Sequence, residues 1–202
     1  MLKPHYFDNK IEAGCDEAGR GCLAGSVYAA AVILPAGYDN PGLNDSKQLT
    51  EKKRYALRDV IMRDAVAWAV GVVTPEEIDT INILKASFLA MHRALDALKT
   101  RPEAIIVDGN RFVPYADLPY ATIVKGDGKY QSIAAASILA KTFRDDYMME
   151  LSREYPYYDW QSNKGYPTRK HREGIRLHGP SPYHRMSYNL LGTGELSLEF
   201  ED

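Results

Sequence analysis

Continuous apolar runs and helix-spaced apolar positions alternate along this chain. Residues 11–18 and 25–34 (GSVYAAAVIL) read as strands, the second stopped by Pro35. Residues 36–49 are rich in Gly, Asn and Asp and read as loop. Thr50 can cap a helix running to about Asp64, and residues 65–73 return as a strand. Pro75 opens a short helical turn. A long helix follows, in which Ile83, Leu84, Phe88, Met91, Leu95 and Leu98 recur at helical spacing. Residues 104–107 form a short apolar strand ending in Asp108-Gly109, and residues 120–124 another ending in Lys125-Gly126-Asp127. A helix over 131–155 carries Ile133, Ile138, Leu139 and Phe143 on or near its inner face. Thr168 caps a last helix to about Leu177, which Gly179-Pro180 breaks. Short links between the three early strands predict antiparallel neighbours, and helices between the later ones predict parallel crossovers. The expected fold is α/β, a mixed sheet flanked by helices. Residues 1–155 form its core, and residues 156–202 form a small basic C-terminal portion that completes one structural unit.

Composition narrows the class. With 202 residues, 45% of them hydrophobic and 26% charged, the chain suits one soluble domain. No apolar run reaches the roughly 18 residues a membrane span needs, and MLKPHYFDNK lacks the hydrophobic segment of a signal peptide. Cys15 and Cys22 have no further cysteine to complete a zinc set, so both are expected to be buried thiols in a reducing compartment. The expected location is the cytoplasm. A net charge of −2 gives no hint of a polyanionic partner, but its distribution does. Between Trp160 and Asn189 stand Lys164, Arg169, Lys170, Arg172, Arg176 and Arg185 against the single acid Glu173. Tyr166, Tyr183 and Tyr188 are interleaved with them. Basic residues alternating with aromatics suit a polyanion that carries rings and sugars, although a solvated helix face followed by a loop has the same composition.

The stretch GCDEAGRG, residues 14–21, carries the most chemistry. Gly19, Gly21 and Gly25 fit a loose phosphate-loop pattern, but that reading needs a helix N-terminus directly after the loop. The next segment is apolar and strand-like, and two carboxylates before the loop would repel a bare phosphate. A metal site fits better. Asp16 lies at the end of the first strand, Asp108 at the end of IIVD, and Asp127 just past TIVKG, so three strand ends each deliver an acid. A turn-forming aspartate explains any one of them alone. With Glu17 the acids number four, and clustered carboxylates call for hard cations. Two divalent ions about 3.5–4 Å apart can activate water and stabilise a leaving oxygen. Adjacent strand residues point to opposite faces. Glu17 is therefore expected to join Asp16 only if the chain leaves strand geometry near Glu17, which Gly19 permits.

These residues, with others, resemble the ribonuclease HII family over nearly the whole chain. The matching stretches are DEAGRG at 16–21, NDSKQL at 44–49, VDGN at 107–110 and KGD at 125–127. AAASILAKTFRD at 134–145, NKGY at 163–166 and HRMSY at 184–188 complete the series. The resemblance implies a ribonuclease H-like five-stranded mixed sheet. It implies endonucleolytic cleavage of RNA paired with DNA, including single ribonucleotides embedded in duplex DNA. The family's four catalytic, metal-holding acids fall on Asp16, Glu17, Asp108 and Asp127, with two Mn2+ or Mg2+ ions in the active complex. Gly19, Arg20 and Gly21 correspond to the family's reader of the ribose 2′-hydroxyl, and Tyr166 to the ring that packs on the adjoining deoxyribose. Lys47, Ser137, Lys141 and Arg185 lie in matching stretches and are expected on backbone phosphates. Asp145 is a fifth acid, read as a structural ion pair within a helix. The expected reaction is hydrolysis on the 5′ side of the ribonucleotide, leaving 3′-hydroxyl and 5′-phosphate ends, in ribonucleotide and primer removal.

His171, His178 and His184 could shuttle a proton, but each is expected to be a phosphate contact or a packed structural group. The tail is expected to leave no room for the helical arm that some longer relatives carry. ELSLEF at 195–200 loosely resembles peptides that bind replication sliding clamps, with Glu195 where glutamine is preferred. A frayed end is the expectation there, and a clamp the alternative partner. The protein is expected to be a monomer. A non-catalytic hybrid-binding module would not need four acids at strand ends, and a DNA nuclease of the same fold would not need Arg20 between glycines or Tyr166.

Overall fold

A computed structural model describes residues 2–192. Its centre is one five-stranded sheet in the order β3-β2-β1-β4-β5. The strands are β1 (Glu12–Ala18), β2 (Val27–Ile33), β3 (Ala67–Val73), β4 (Ala104–Asp108) and β5 (Tyr120–Ile123). β1, β2 and β3 pair antiparallel, while β4 is parallel to both β1 and β5. This is the expected mixed sheet.

The described residues form the helices α1 (Glu51–Asp64), α2 (Pro75–Ile81), α3 (Ile83–Asp96), α4 (Gln131–Glu154), α5 (Trp160–Asn163) and α6 (Arg169–His178), of which α1, α3 and α4 pack on the sheet. Thr50, Thr74 and Thr168 cap α1, α2 and α6 through their hydroxyls. At Thr74 the Glu77 carboxylate returns a bond to the cap's own N–H. α3 packs on the sheet face made by Ala13, Cys15, Val27, Ala29, Ala31, Ile105 and Val107. α4 and α1 cover the opposite face, where Ala30 and Val32 meet Ile61, Ala134, Ile138 and Leu139.

Two glycines set how closely the helices lie. A Cβ on Gly14 of β1 would stand 2.4 Å from the Ser132 carbonyl carbon in α4, and one on Gly71 of β3 would stand 2.0 Å from the Ala90 oxygen in α3. Both helices therefore rest directly on strand backbone. The segment after α4 folds back on the loop between β1 and β2. Trp160, Tyr158 and Ile175 bury against Leu23, Ala24, Met148 and Leu151. Backbone bonds from Leu23 N–H to the Gly165 carbonyl, from Gly25 N–H to Tyr183 and from Arg185 N–H to Leu23 fasten the two together.

Candidate active site

The β1–β4 ladder ends at the pair Cys15–Val107, whereas β1 stays paired with β2 through Ala18. Past Cys15 the neighbours β1 and β4 part, and Asp16, Glu17 and Asp108 are the residues just beyond that point. Glu17 does not leave strand geometry, contrary to expectation. Its pairing with Ala29 is regular, and the first departure is at Gly19, with φ +98°. Alternation therefore holds. Asp16 lies on the α4 side with Ser137. Glu17 lies on the α3 side, in a cleft of about 280 Å³ with Ser87, Phe88, Asp108 and Asn110. What lets these carboxylates sense one another is the split between β1 and β4 rather than a bend in β1.

Their electrostatics show the crowding. Burial pushes the Asp16 carboxyl well above the usual range, and repulsion from Glu17 and Asp108 adds to it; the Ser137 hydroxyl and the Glu17 N–H pull the other way. Burial raises Glu17 too, against the opposing pull of the Arg20 guanidinium, which bonds Glu17 Oε1 at 3.1 Å. Asp127 sits in a helical turn at Gly126–Gly128, directly before α4. Burial together with Asp108 and Asp45 lifts it to about 6. Asp108 Oδ1 accepts the Gly126 N–H at 2.7 Å, which ties the β4 end to that turn. A cluster that holds protons this tightly is short of positive charge, and all its donors are hard carboxylate oxygens. That donor set fits divalent cations such as Mg2+ or Mn2+. As they stand, no three Asp, Glu, His or Cys side chains among the described residues are gathered into a ready coordination shell.

Asp45 was missed in the sequence. It caps the turn Ser46–Gln48, accepting the Lys47 N–H, and it presses on Asp127. The signal available was an aspartate directly before Ser-Lys, a capping pattern in a stretch where only Lys47 was singled out. Lys47 is exposed. Partial burial pulls its ammonium down, but Asp127, Asp45, Asp16 and Asp108 outweigh that and hold it charged. Ser137 bonds the Ser46 hydroxyl at 2.9 Å, so α4 and the 46–48 turn meet beside Asp16.

The other expected contacts divide. Tyr166 is 42% exposed beside the β1–β2 loop. Gly165 before it has φ +87°, and a Cβ there would lie 2.6 Å from the Ala24 carbonyl oxygen. Lys141 bonds Asp145 at 2.5 Å, and Asp145 is buried, so the fifth acid sits in an ion pair within α4. Arg185 differs from expectation. It is fully buried, and all five of its N–H groups are spent on the Gly25, Arg20 and Gly19 carbonyls and the Tyr188 hydroxyl, leaving none for a phosphate. Charge counting could not separate it from its exposed neighbours Arg169, Lys170 and Arg176.

The histidines also separate. His178 is exposed and stacks on Tyr157 with ring centroids 4.2 Å apart. His171 and His184 are buried and linked through their Nε2 atoms at 3.1 Å. Trp160 donates to His171 Nε2, and the Ser181 N–H donates to His184 Nδ1. Both acceptors are therefore unprotonated nitrogens. His171 must carry its proton on Nδ1, where it donates to the Tyr166 carbonyl at 2.9 Å. His184 must carry its proton on Nε2, facing His171. Both are packed structural groups.

Known proteins resemble this chain in sequence and fold. The sequence model of the family described as Ribonuclease HII matches residues 13–191. A ribonuclease HII of Phocaeicola vulgatus is 73% identical over 201 residues, covering 99% of this chain and 100% of that protein. The ribonuclease H2 structure from Pyrococcus horikoshii superposes with a TM-score of 0.74 at 27% identity, over 89% of this chain and 94% of that one. An Archaeoglobus fulgidus ribonuclease HII, solved in complex with PCNA, gives 0.71 at 28% identity over 92% and 98%. The chain therefore belongs to the ribonuclease HII family, nucleases that hydrolyse RNA paired with DNA.

Proposed function

We propose that the protein cuts on the 5′ side of single ribonucleotides in duplex DNA, and cuts the RNA strand of hybrids, leaving 3′-hydroxyl and 5′-phosphate ends. The observation that supports this reading is the mutual repulsion of Asp16, Glu17 and Asp108 just beyond the last β1–β4 pair, with Asp108 in turn raising Asp127. These four would hold two Mg2+ or Mn2+ ions, which supply charge compensation at the phosphorus and lower the pKa of the attacking water. Gly126 fixes Asp108 through its N–H, and Ser137 supports Asp16. Lys47, exposed and held charged by the surrounding acids, is available to a phosphate oxygen. On the same reading Gly19, Arg20 and Gly21 meet the 2′-hydroxyl, and the exposed ring of Tyr166 packs on the next sugar. Lys141 reaches a phosphate only by sharing its ammonium with Asp145.

The role that follows is removal of ribonucleotides and primers from DNA. No helix among the described residues is long and apolar enough to cross a membrane, which fits a role on chromosomal DNA in the cytoplasm. The stretch 195–200, the candidate clamp-binding peptide, lies outside the described residues. The PCNA-bound relative makes a sliding clamp a reasonable second partner for it.

The test is a labelled duplex carrying one ribonucleotide, beside an all-DNA duplex, with magnesium, manganese or a chelator. A cation-dependent cut 5′ of the ribonucleotide, and none in the control, is expected. Asp108→Asn should lose at least a thousandfold in rate while unfolding like the parent. A variant that still turns over would overthrow the acid assignment.

A further inference from the structure

Two arginines are buried without a carboxylate partner. Arg144 on α4 is 1% exposed and Arg185 is 0% exposed, and neither joins an ion pair among the described residues. Desolvating a guanidinium costs several kcal/mol, so its hydrogen bonds must return that cost. Both spend those bonds on one short piece of chain. Arg185 donates to the carbonyls of Gly19 (2.7 Å), Arg20 (2.9 Å) and Gly25 (2.8 and 3.0 Å). Arg144 donates to Ala24 (3.0 Å), Ser26 (3.0 Å) and, across the site, Lys164 (2.8 Å). Its side chain also packs against Gly19, where a Cβ would lie 2.1 Å from Arg144 Nε.

The direction of these bonds has a consequence. In a trans peptide the carbonyl of one residue points opposite to the N–H of the next. Drawing the Gly19 and Arg20 carbonyls inward onto Arg185 therefore turns the N–H groups of Arg20 and Gly21 outward. Neither N–H donates to any group among the described hydrogen bonds, and both residues are exposed. The uncompensated charge beneath them strengthens both as donors. Arg144 meanwhile fixes the loop to Lys164, two residues before Tyr166.

We propose that Arg144 and Arg185 are positioning residues for sugar discrimination. They preset the outward N–H groups of Arg20 and Gly21 and hold them in register with Tyr166, without touching the substrate. The proposal rests on the reading of residues 19–21 and 166 as the ribose reader, and it adds what sets their geometry.

Arg144→Lys and Arg185→Lys keep the charge but lose the planar fork. Fluorescence anisotropy in a chelator would compare a duplex carrying one ribonucleotide with the same duplex carrying deoxyribose throughout. The variants should lose at least tenfold of the parent's preference for the ribonucleotide, with affinity for all-DNA unchanged, and KM should rise more than kcat falls. A residue that merely stabilised the fold would lower the active fraction and leave both KM and the preference intact; that result overturns the proposal. Tyr188→Phe serves where a lysine variant does not fold. The Tyr188 hydroxyl donates to the Arg20 carbonyl at 3.1 Å from a half-buried ring, so its removal loosens the same loop gently. A roughly threefold drop in preference is expected, and an unchanged preference counts against the idea. If the parent shows no ribose preference, the reader assignment fails. If the parent shows it and the variants keep it, only the positioning role fails.

Discussion

At the scale of single residues, the glycines of GCDEAGRG separate fold from chemistry. Gly14 is where α4 lies on β1, and an added methyl would meet helix backbone at 2.4 Å, which no side-chain rotation relieves. Gly14→Ala should cost about 3 kcal/mol or more, read as a lowered midpoint in urea unfolding. Gly21 is the opposite case. Its φ is not positive, and a Cβ there would meet nothing within 4 Å. Gly21→Ala should change stability by no more than about 1 kcal/mol. On the proposed function it should nonetheless raise KM for a ribonucleotide-containing duplex at least tenfold, because the methyl stands where the sugar must approach. Equal destabilisation by the two substitutions would contradict this division. Two glycines seven positions apart in one motif thus answer to different constraints.

At the scale of elements, the strands and long helices were legible because each announced itself by apolar run or helical period. Thr50, Thr74 and Thr168 cap their helices. What was not legible was which face of α3 is inside. The large residues Ile83, Leu84, Phe88 and Leu98 are only partly buried, while Ala86, Ala90 and Ala94 are fully buried. Close approach at Gly71 puts small side chains next to it, and of the large periodic residues only Met91 and Leu95 are buried. Period reveals a helix, but separation from the sheet decides which residue sizes face it. The turns at 46–48 and 126–128 are too short to show a period, so Asp45 went unseen although it presses on Asp127. Asp108 at the end of β4 was legible; the buried roles of Arg144 and Arg185 were not, since most of their carbonyl partners lie more than a hundred residues away along the chain. At α2, the Thr74–Glu77 box also carries Arg93 from α3, whose guanidinium bonds both Glu77 oxygens and the Val72 carbonyl. Thr74→Ala should lower stability by about 1 kcal/mol without moving kcat, checked by chemical denaturation beside the cleavage assay.

At the scale of the whole molecule, the proposed site draws on both the sheet and the segment that follows α4, and the interior of that segment depends on two neutral histidines. Burial pulls His184 down to about 4, helped by His171, and burial lowers His171 as well, with Arg172 contributing. The geometry gives the reason: each ring already accepts an N–H on the nitrogen that would take a second proton. The folded His184 resists protonation while an unfolded one titrates near 6.5. Between about 6.5 and about 4 the unfolded chain therefore binds more protons than the folded chain. Stability is complete above that window and falls as the pH drops through it, by on the order of 2–3 kcal/mol for His184. The raised acids Asp16, Glu17 and Asp127 act with the opposite sign, since the folded form holds their protons more tightly. A single pH curve therefore mixes the two. Comparison with His184→Phe isolates the histidine, because that variant is less stable at pH 7.5 but loses this part of the slope. Denaturant unfolding at pH 7.5, 6.5 and 5.5 should bring the two proteins closer together as the pH falls. A stability gap that stays constant with pH would mean that the pair is not held neutral.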